Sequence, residues 1–243
     1  MSNLNSKQSS AMKIKKLCMA ALFCALAVAS TYIMHIKVMF LTFDAKDAVI
    51  TIAGLLFGPI YSVGISLAVA LIEFITIGDA GFWGFFMDFV STALFSTVCA
   101  LIYKYKKNIK GAVIGLVSAI FAMTTFMLLF NLFIVPLYTP NFTTAAVAKM
   151  VPTLFLPFNL TKATLNAAIV LILYKPASTA MKAARVLPSG NLSQTTNKNI
   201  TPEEKKKKNL IFSLVVTGVG LLIAALCVVV FFIFLKGEIG FFS

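Results

Sequence analysis

The stretch AVITIAGLLFGPIYSVGISLAVALIEFITIG, from Ala48 to Gly78, decides how this chain is built. Its one charged residue is Glu73, and it is longer than the roughly 20 apolar residues that cross a bilayer. Gly58-Pro59 breaks it. Proline offers no N–H, and its ring clashes with the carbonyl one turn back, so a single helix cannot run through unchanged. The break predicts a short helix over 48–57 and a further one over 60–77, joined by a tight uncharged connection.

Working outward, similar runs appear on both sides: Leu17 to about Met34, Trp83 to Tyr103, 111–135 ending at Pro136, 151–174 with Pro152 and Pro157, and Asn209 to Leu235. The first run, with Ala27-Val28-Ala29, also fits a secretory signal peptide, but the runs that follow make it more simply a retained first span. Of 243 residues, 60% are hydrophobic and 12% charged, the latter about half the usual soluble share. A soluble domain could not hide so much apolar surface, and disorder needs the opposite composition. The chain reads as an all-α integral membrane protein.

The net charge of +13 reads as topology rather than as a nucleic-acid footprint. With seven crossings and a cytoplasmic N-terminus, 16 of the 21 basic residues fall inside: near Lys13–Lys16, in Lys104–Lys110, and from Lys175 to the Lys205–Lys208 run. Asp44, Asp47, Glu73, Asp79 and Glu238 fall on or near the outer side. The expected organisation is a loose cytoplasmic N-terminus over 1–11, a core over 12–176, a basic cytoplasmic linker over 177–208, an extra transmembrane helix over 209–235 and an extracellular tail over 236–243. Residues 36–47 (IKVMFLTFDAKD) read as an external loop.

Several chemistries are missing. No GxxxxGK[ST] stretch provides a P-loop. His35 is the one histidine, so multi-histidine metal sites are excluded, and it reads as an interfacial residue. Cys18, Cys24, Cys99 and Cys227 lie in apolar runs without a CxxC pattern and read as small buried side chains. Any uphill transport must draw on an ion gradient or on a partner that hydrolyses ATP.

Polar groups in a bilayer are costly and tend to line cavities. Asp88, Asn131, Asn159, Lys162 and Asn166 stand out. Asn159 and Lys162 are three apart, hence on one helix face, and Pro157 just before them frees a backbone carbonyl. Asn131 lies near the outer end of its helix. These side chains either glue helices together or converge on a ligand, and Lys162 either snorkels, pairs with Asp88 or faces a cavity. Lys37, Lys46 and Lys149, near the mouth, either favour a phosphate on the ligand or are solvated loop charges. Phe82, Trp83, Phe85 and Phe86 form an interfacial belt or the apolar wall of a site for a ligand with a flat part and a hydroxylated part. Ala21, Ala25 and Ala29, like Gly54/Gly58 and Gly111/Gly115, are spaced for close helix approach, either inside the fold or against a partner.

Four segments together resemble a known family: FLTFDAKDAVITIAGLLFGP (40–59), WGFFMDFVSTALF (83–95), NLFIVPLY (131–138) and LPFNLTKATLN (156–166). Residues 12 to 176 look like the substrate-binding S component of energy-coupling factor (ECF) vitamin transporters, and most like its riboflavin-specific member. The resemblance implies a six-helix transmembrane S-component bundle, to which this chain adds one C-terminal transmembrane helix. It implies a multi-pass protein of the bacterial plasma membrane with no enzymatic activity. The transported ligand would be riboflavin or its phosphate FMN, with no cofactor. The partners would be a transmembrane coupling protein, docked on Ala21, Ala25 and Ala29, and two ATPase subunits. By position, Asn131, Asn159 and Lys162 would bond the vitamin, while Leu41, Thr42, Phe43 and Asp44 would close over it. The alternatives are an S component for folate, thiamine or pantothenate, a membrane scaffold supplying flavin to exported electron-transfer proteins, and an intramembrane enzyme using Asp88 or Glu73.

Overall fold

The computed structural model describes residues 2–34, 36–38, 41–77, 81–139 and 143–183, with 218, 222, 225 and 239–240. In chain order they form α1 (Ser2–Ile33), a hairpin of β1 (Ile36–Val38) and β2 (Leu41–Phe43), α2 (Lys46–Phe57), α3 (Pro59–Thr76), α4 (Gly81–Tyr105) and α5 (Ile109–Tyr138). Then come α6 (Thr144–Met150), a π-helical turn (Val151–Phe155), α7 (Leu156–Ala183) and β3 (Ile239–Gly240). Among the described residues, five helical stretches are long and apolar enough to cross a membrane: Met12–Ile33, Pro59–Thr76, Gly81–Tyr105, Ile109–Leu137 and Thr144–Met181. Most of the linker and of the apolar run 209–235 lie outside the described residues, as does His35. Gly218, Leu222 and Ala225 are helical.

The expected break at Gly58-Pro59 is where α2 gives way to α3. Gly58 adopts φ 108°, a region open to glycine, and its N–H still bonds the Gly54 carbonyl at 2.8 Å. Pro59 then opens α3, at a position whose N–H would have had no helical partner. At 12 residues α2 is about 18 Å long, too short to cross a membrane alone. It is instead the centre of the bundle. Nine of its residues are buried, and it packs against α1, α3, α4 and α7. Ile50 and Ile52 join Val69, Phe95, Leu116 and Met123 in the larger apolar core. A smaller core gathers Phe43, Val135, Val147, Leu154, Phe155, Phe158 and Leu165 beneath the hairpin.

Four local expectations differ from the structure. Residues 2–11, read as loose, belong to α1. The loop 36–47 carries a hairpin, with Ile36 opposite Phe43 and Val38 opposite Leu41, and α2 starts within it at Lys46. Pro136 does not end α5. The helix tolerates the missing donor and closes one turn later, where Thr139 N–H bonds the Val135 carbonyl at 3.0 Å. The sixth run starts earlier, at a Thr143 cap, and passes Pro152 through the π-turn, whose wider ring closes from Leu156 N–H to Val151 O. α7 then continues to Ala183, past residue 176. At the C-terminus, β3 pairs antiparallel with β1 (Lys37 opposite Gly240, Val38 opposite Ile239), giving the strand order β2-β1-β3.

The small-residue pairs separate into two kinds. A Cβ on Gly54 would lie 2.9 Å from the Ser62 Cβ, and one on Gly115 would lie 2.9 Å from the Cys99 carbonyl, so these glycines serve packing inside the fold. On α1 the buried face is Ala20, Phe23, Ala27 and Thr31, whereas Ala21, Ala25 and Ala29 are exposed.

Candidate ligand-binding site

The hairpin, the start of α2 and the first turns of α7 meet at one end of the bundle. Asn166 sets that meeting. Its Oδ1 accepts from Ala48 N–H at 2.9 Å, capping the first turn of α2, whose own N-cap residue Ala45 has no side chain to do so. Its Nδ2 donates to the Asp44 carbonyl (3.0 Å) and to the Lys162 carbonyl one turn back (3.1 Å). Asn166 is fully buried. Of the two roles open to it, glue is the one its bonds describe.

Around this joint lies a buried cluster of charge. Lys162 is 6% exposed, and its Nζ donates to Asp44 Oδ2 (3.0 Å) and to the Thr42 carbonyl (3.2 Å), with Asp47 Oδ2 at 4.0 Å. The ammonium thus holds the end of the hairpin against α7. Burial alone would raise the Asp44 carboxyl. The Lys162 and Lys46 ammoniums outweigh it and hold that carboxyl below its ordinary range. Asp47 lies in the first turn of α2, a favourable place for an anion, and its Oδ1 accepts from Thr92 Oγ1 at 2.7 Å. Lys46 binds Glu73 of α3 and, at 2.8 Å, Asp88 of α4. Each buried ion costs several kcal/mol in desolvation, which this mutual pairing offsets.

Of the sequence-predicted ligand residues, Phe43, Asp44, Asn131, Asn159 and Lys162 are buried, and Leu41 and Thr42 are half-buried. Phe43 sets its ring edge against Phe158, with centroids 6.5 Å apart, and Leu41 packs against the same small core. Asn131 is fully buried, and its Nδ2 bonds the Met127 carbonyl (2.7 Å). Asn159 does the same with Phe155 (2.8 Å). Among the described residues, the buried atoms Asp44 Oδ1, Asp47 Oδ2 and Asn131 Oδ1 have no hydrogen-bond partner, as is true of Thr124 Oγ1 and Thr139 Oγ1. Such atoms cost about 1–3 kcal/mol each unless a donor arrives. Such acceptors call for hydroxyl or N–H donors.

Two expectations need correction. Lys162 does not pair with Asp88; it pairs with Asp44, and Asp88 pairs with Lys46. Lys46 is no solvated loop charge, being 2% exposed with carboxylates around it. Lys46 and Asp47 were missing from the predicted site, although the acid–base–acid spacing of Asp44, Lys46 and Asp47 just before an apolar run was a signal for them. Glu73 and Asp88, considered as an enzyme's carboxylates, are the two nearest of the three carboxylates around Lys46. Phe82 and Trp83 are exposed, as a belt would be, while Phe86 turns inward and stacks on Phe130 at 6.1 Å.

A buried polar cluster beside a hairpin, set in an apolar helical bundle, defines a multi-span membrane protein with a polar interior at one end. The chain belongs to the family described as the substrate-specific component of ECF transporters, which matches residues 15–174. Members of this family bind substrate for a transporter and are not enzymes. The chain is 27% identical over 149 residues to the riboflavin transporter RibU of Staphylococcus aureus (strain TCH60), covering 59% of this chain and 78% of that one. It also superposes on a solved S component of a bacterial ECF transporter with a TM-score of 0.59 and 26% identity, over 70% of this chain and 99% of that chain.

Proposed function

We propose that this protein captures riboflavin at the outer face of the plasma membrane and delivers it to an ECF complex for ATP-driven uptake. One observation carries the reading. Lys162, deep in α7, bonds both the backbone and the carboxylate of the hairpin, in a neighbourhood holding unpartnered buried acceptors. A ribityl chain is a row of hydroxyl donors, and the flavin ring adds an N–H and a flat apolar face. Asn131, Asn159 and Lys162 bond it from the helices, and Leu41, Thr42, Phe43 and Asp44 close over it. The similarity to the S. aureus riboflavin transporter supports this choice of vitamin.

The exposed Ala21, Ala25 and Ala29 give α1 a smooth flank for a transmembrane coupling protein, through which two ATPase subunits act. The six-helix core is followed by a linker and an extra span, with the N-terminus inside and the C-terminus outside. The pairing of β3 with β1 supports that orientation, because it brings residues 239–240 to the hairpin end.

The test is a titration of the purified protein with riboflavin. Stacking of the ring on aromatic side chains quenches flavin fluorescence, saturably and at submicromolar ligand. No quenching at micromolar riboflavin, with folate, thiamine or pantothenate stabilising the protein instead, assigns it to another vitamin.

A further inference from the structure

The proposed vitamin site uses Asp44 and Lys162. It leaves unexplained why a second lysine, Lys46, lies 2% exposed in a membrane bundle with three carboxylates around it. Its nearest anion is Glu73 of α3, followed by Asp88 of α4 at 2.8 Å and Asp44 Oδ2 at 3.9 Å. The close partners are thus on the helices, and the distant one is on the hairpin's last turn. Glu73 is itself fixed. Its Oε1 accepts from Thr31 Oγ1 at 2.7 Å, and Thr31 is 1% exposed on the inner face of α1. Asp44 Oδ2 then receives Lys162 at 3.0 Å. A continuous line of polar contacts runs from α1 through Glu73, Lys46 and Asp44 to α7.

We propose that Lys46, oriented by Glu73, Asp88 and Thr31, is a positioning residue that latches the hairpin shut, and that Thr31 ties the latch to α1. Lys46 need not touch the ligand. It presents a fixed positive charge to Asp44, so the Asp44 carboxylate stays where Lys162 can hold it. In a low-dielectric interior such a charge acts strongly over 3.9 Å. Removing one member leaves another buried ion without its partner, and the hairpin end that carries Asp44, held to β3 by one short strand pairing, is the part of the line that moves it toward water. The exposed alanines and Thr31 share α1, so a partner that shifts α1 also shifts the latch. The hairpin's role as a lid rests on the proposed vitamin site; the latch itself does not.

The experiment is hydrogen–deuterium exchange on the full-length purified protein without ligand, combined with stopped-flow riboflavin release. Glu73→Gln keeps the shape and an acceptor for Thr31 but removes the charge that holds Lys46. Exchange over residues 36–45 should rise roughly tenfold, α5 should exchange as before, and riboflavin release should speed by a similar factor. Thr31→Val removes one hydroxyl and should give roughly threefold on the same segment. If Glu73→Gln does not fold, Thr31→Val decides alone. Unchanged exchange over 36–45 in a folded variant overturns the latch. Exchange rising equally in α5 overturns it too, since that is general loosening. Faster exchange over 36–45 with unchanged riboflavin release upholds the latch and overturns the hairpin's role as a lid, and faster exchange with no riboflavin binding even in the wild type upholds the latch and overturns the vitamin site.

Discussion

The two ends of the bundle are held by different forces. At the hairpin end, Asp44, Lys46, Asp47, Glu73, Asp88 and Lys162 form an ionic interior in which Asp44 Oδ1 and Asp47 Oδ2 receive no hydrogen bond among the described residues. Toward the other end, Cys99, Ala112, Leu116 and Ala119 pack α4 against α5 with almost no polar content. There Tyr103 and Tyr174 share one hydroxyl contact at 2.5 Å. An interior of paired ions is a poor source of net stability but highly specific in geometry. A dry close-packed interface is the reverse. The contrast suggests that the apolar end carries the fold, so that the ionic end is left free to be shaped for a ligand.

Substitutions can break or sharpen that division. Lys162→Ala has the largest expected effect, because it strands Asp44 and Asp47 without their shared cation. Riboflavin binding is lost, and stability falls by about 3–5 kcal/mol, read by thermal unfolding in detergent. Gly115→Leu drives a side chain into the Cys99 backbone and costs about 1–3 kcal/mol of stability, yet riboflavin affinity in the folded fraction stays at the wild-type value. An affinity loss there would mean that the two ends are not separable. Asn131→Ala removes the unpartnered Oδ1 and a bond within its own helix. It weakens riboflavin by about 1–2 kcal/mol in a fluorescence titration, with little change in melting. Ala25→Leu has the smallest effect on the isolated protein, within about 0.5 kcal/mol for folding, since the position is exposed. It blocks riboflavin uptake in cells expressing the full complex. Equal loss of binding and uptake would count against a docking flank.

Much of this architecture was legible in the sequence because it follows from local chemistry. Gly58-Pro59 announces its turn through the backbone, and the long apolar runs announce their helices through length. Asn159 and Lys162 advertised themselves as costly groups on one helix face, and both are buried. The pairings were not legible. Lys162 finds Asp44 across 118 positions and Lys46 finds Glu73 across 27, and no spacing rule reaches that far. Proximity along the chain made Lys46 look like a loop charge, when α2 begins at that residue and carries it inside. Pro136 and Pro152 misled in the other direction, because surrounding helices can sustain a helix through a missing donor when a π-turn or a later closure absorbs it.

Asn166 has a mechanical consequence. One amide grips the Asp44 carbonyl, the first turn of α2 and its own helix together, so the peptide at Asp44 is pinned as a door is pinned at its jamb. Lifting the hairpin straight off would tear out that pin along with both lysine contacts. Pivoting about it needs the side-chain contacts to let go and β1 to part from β3.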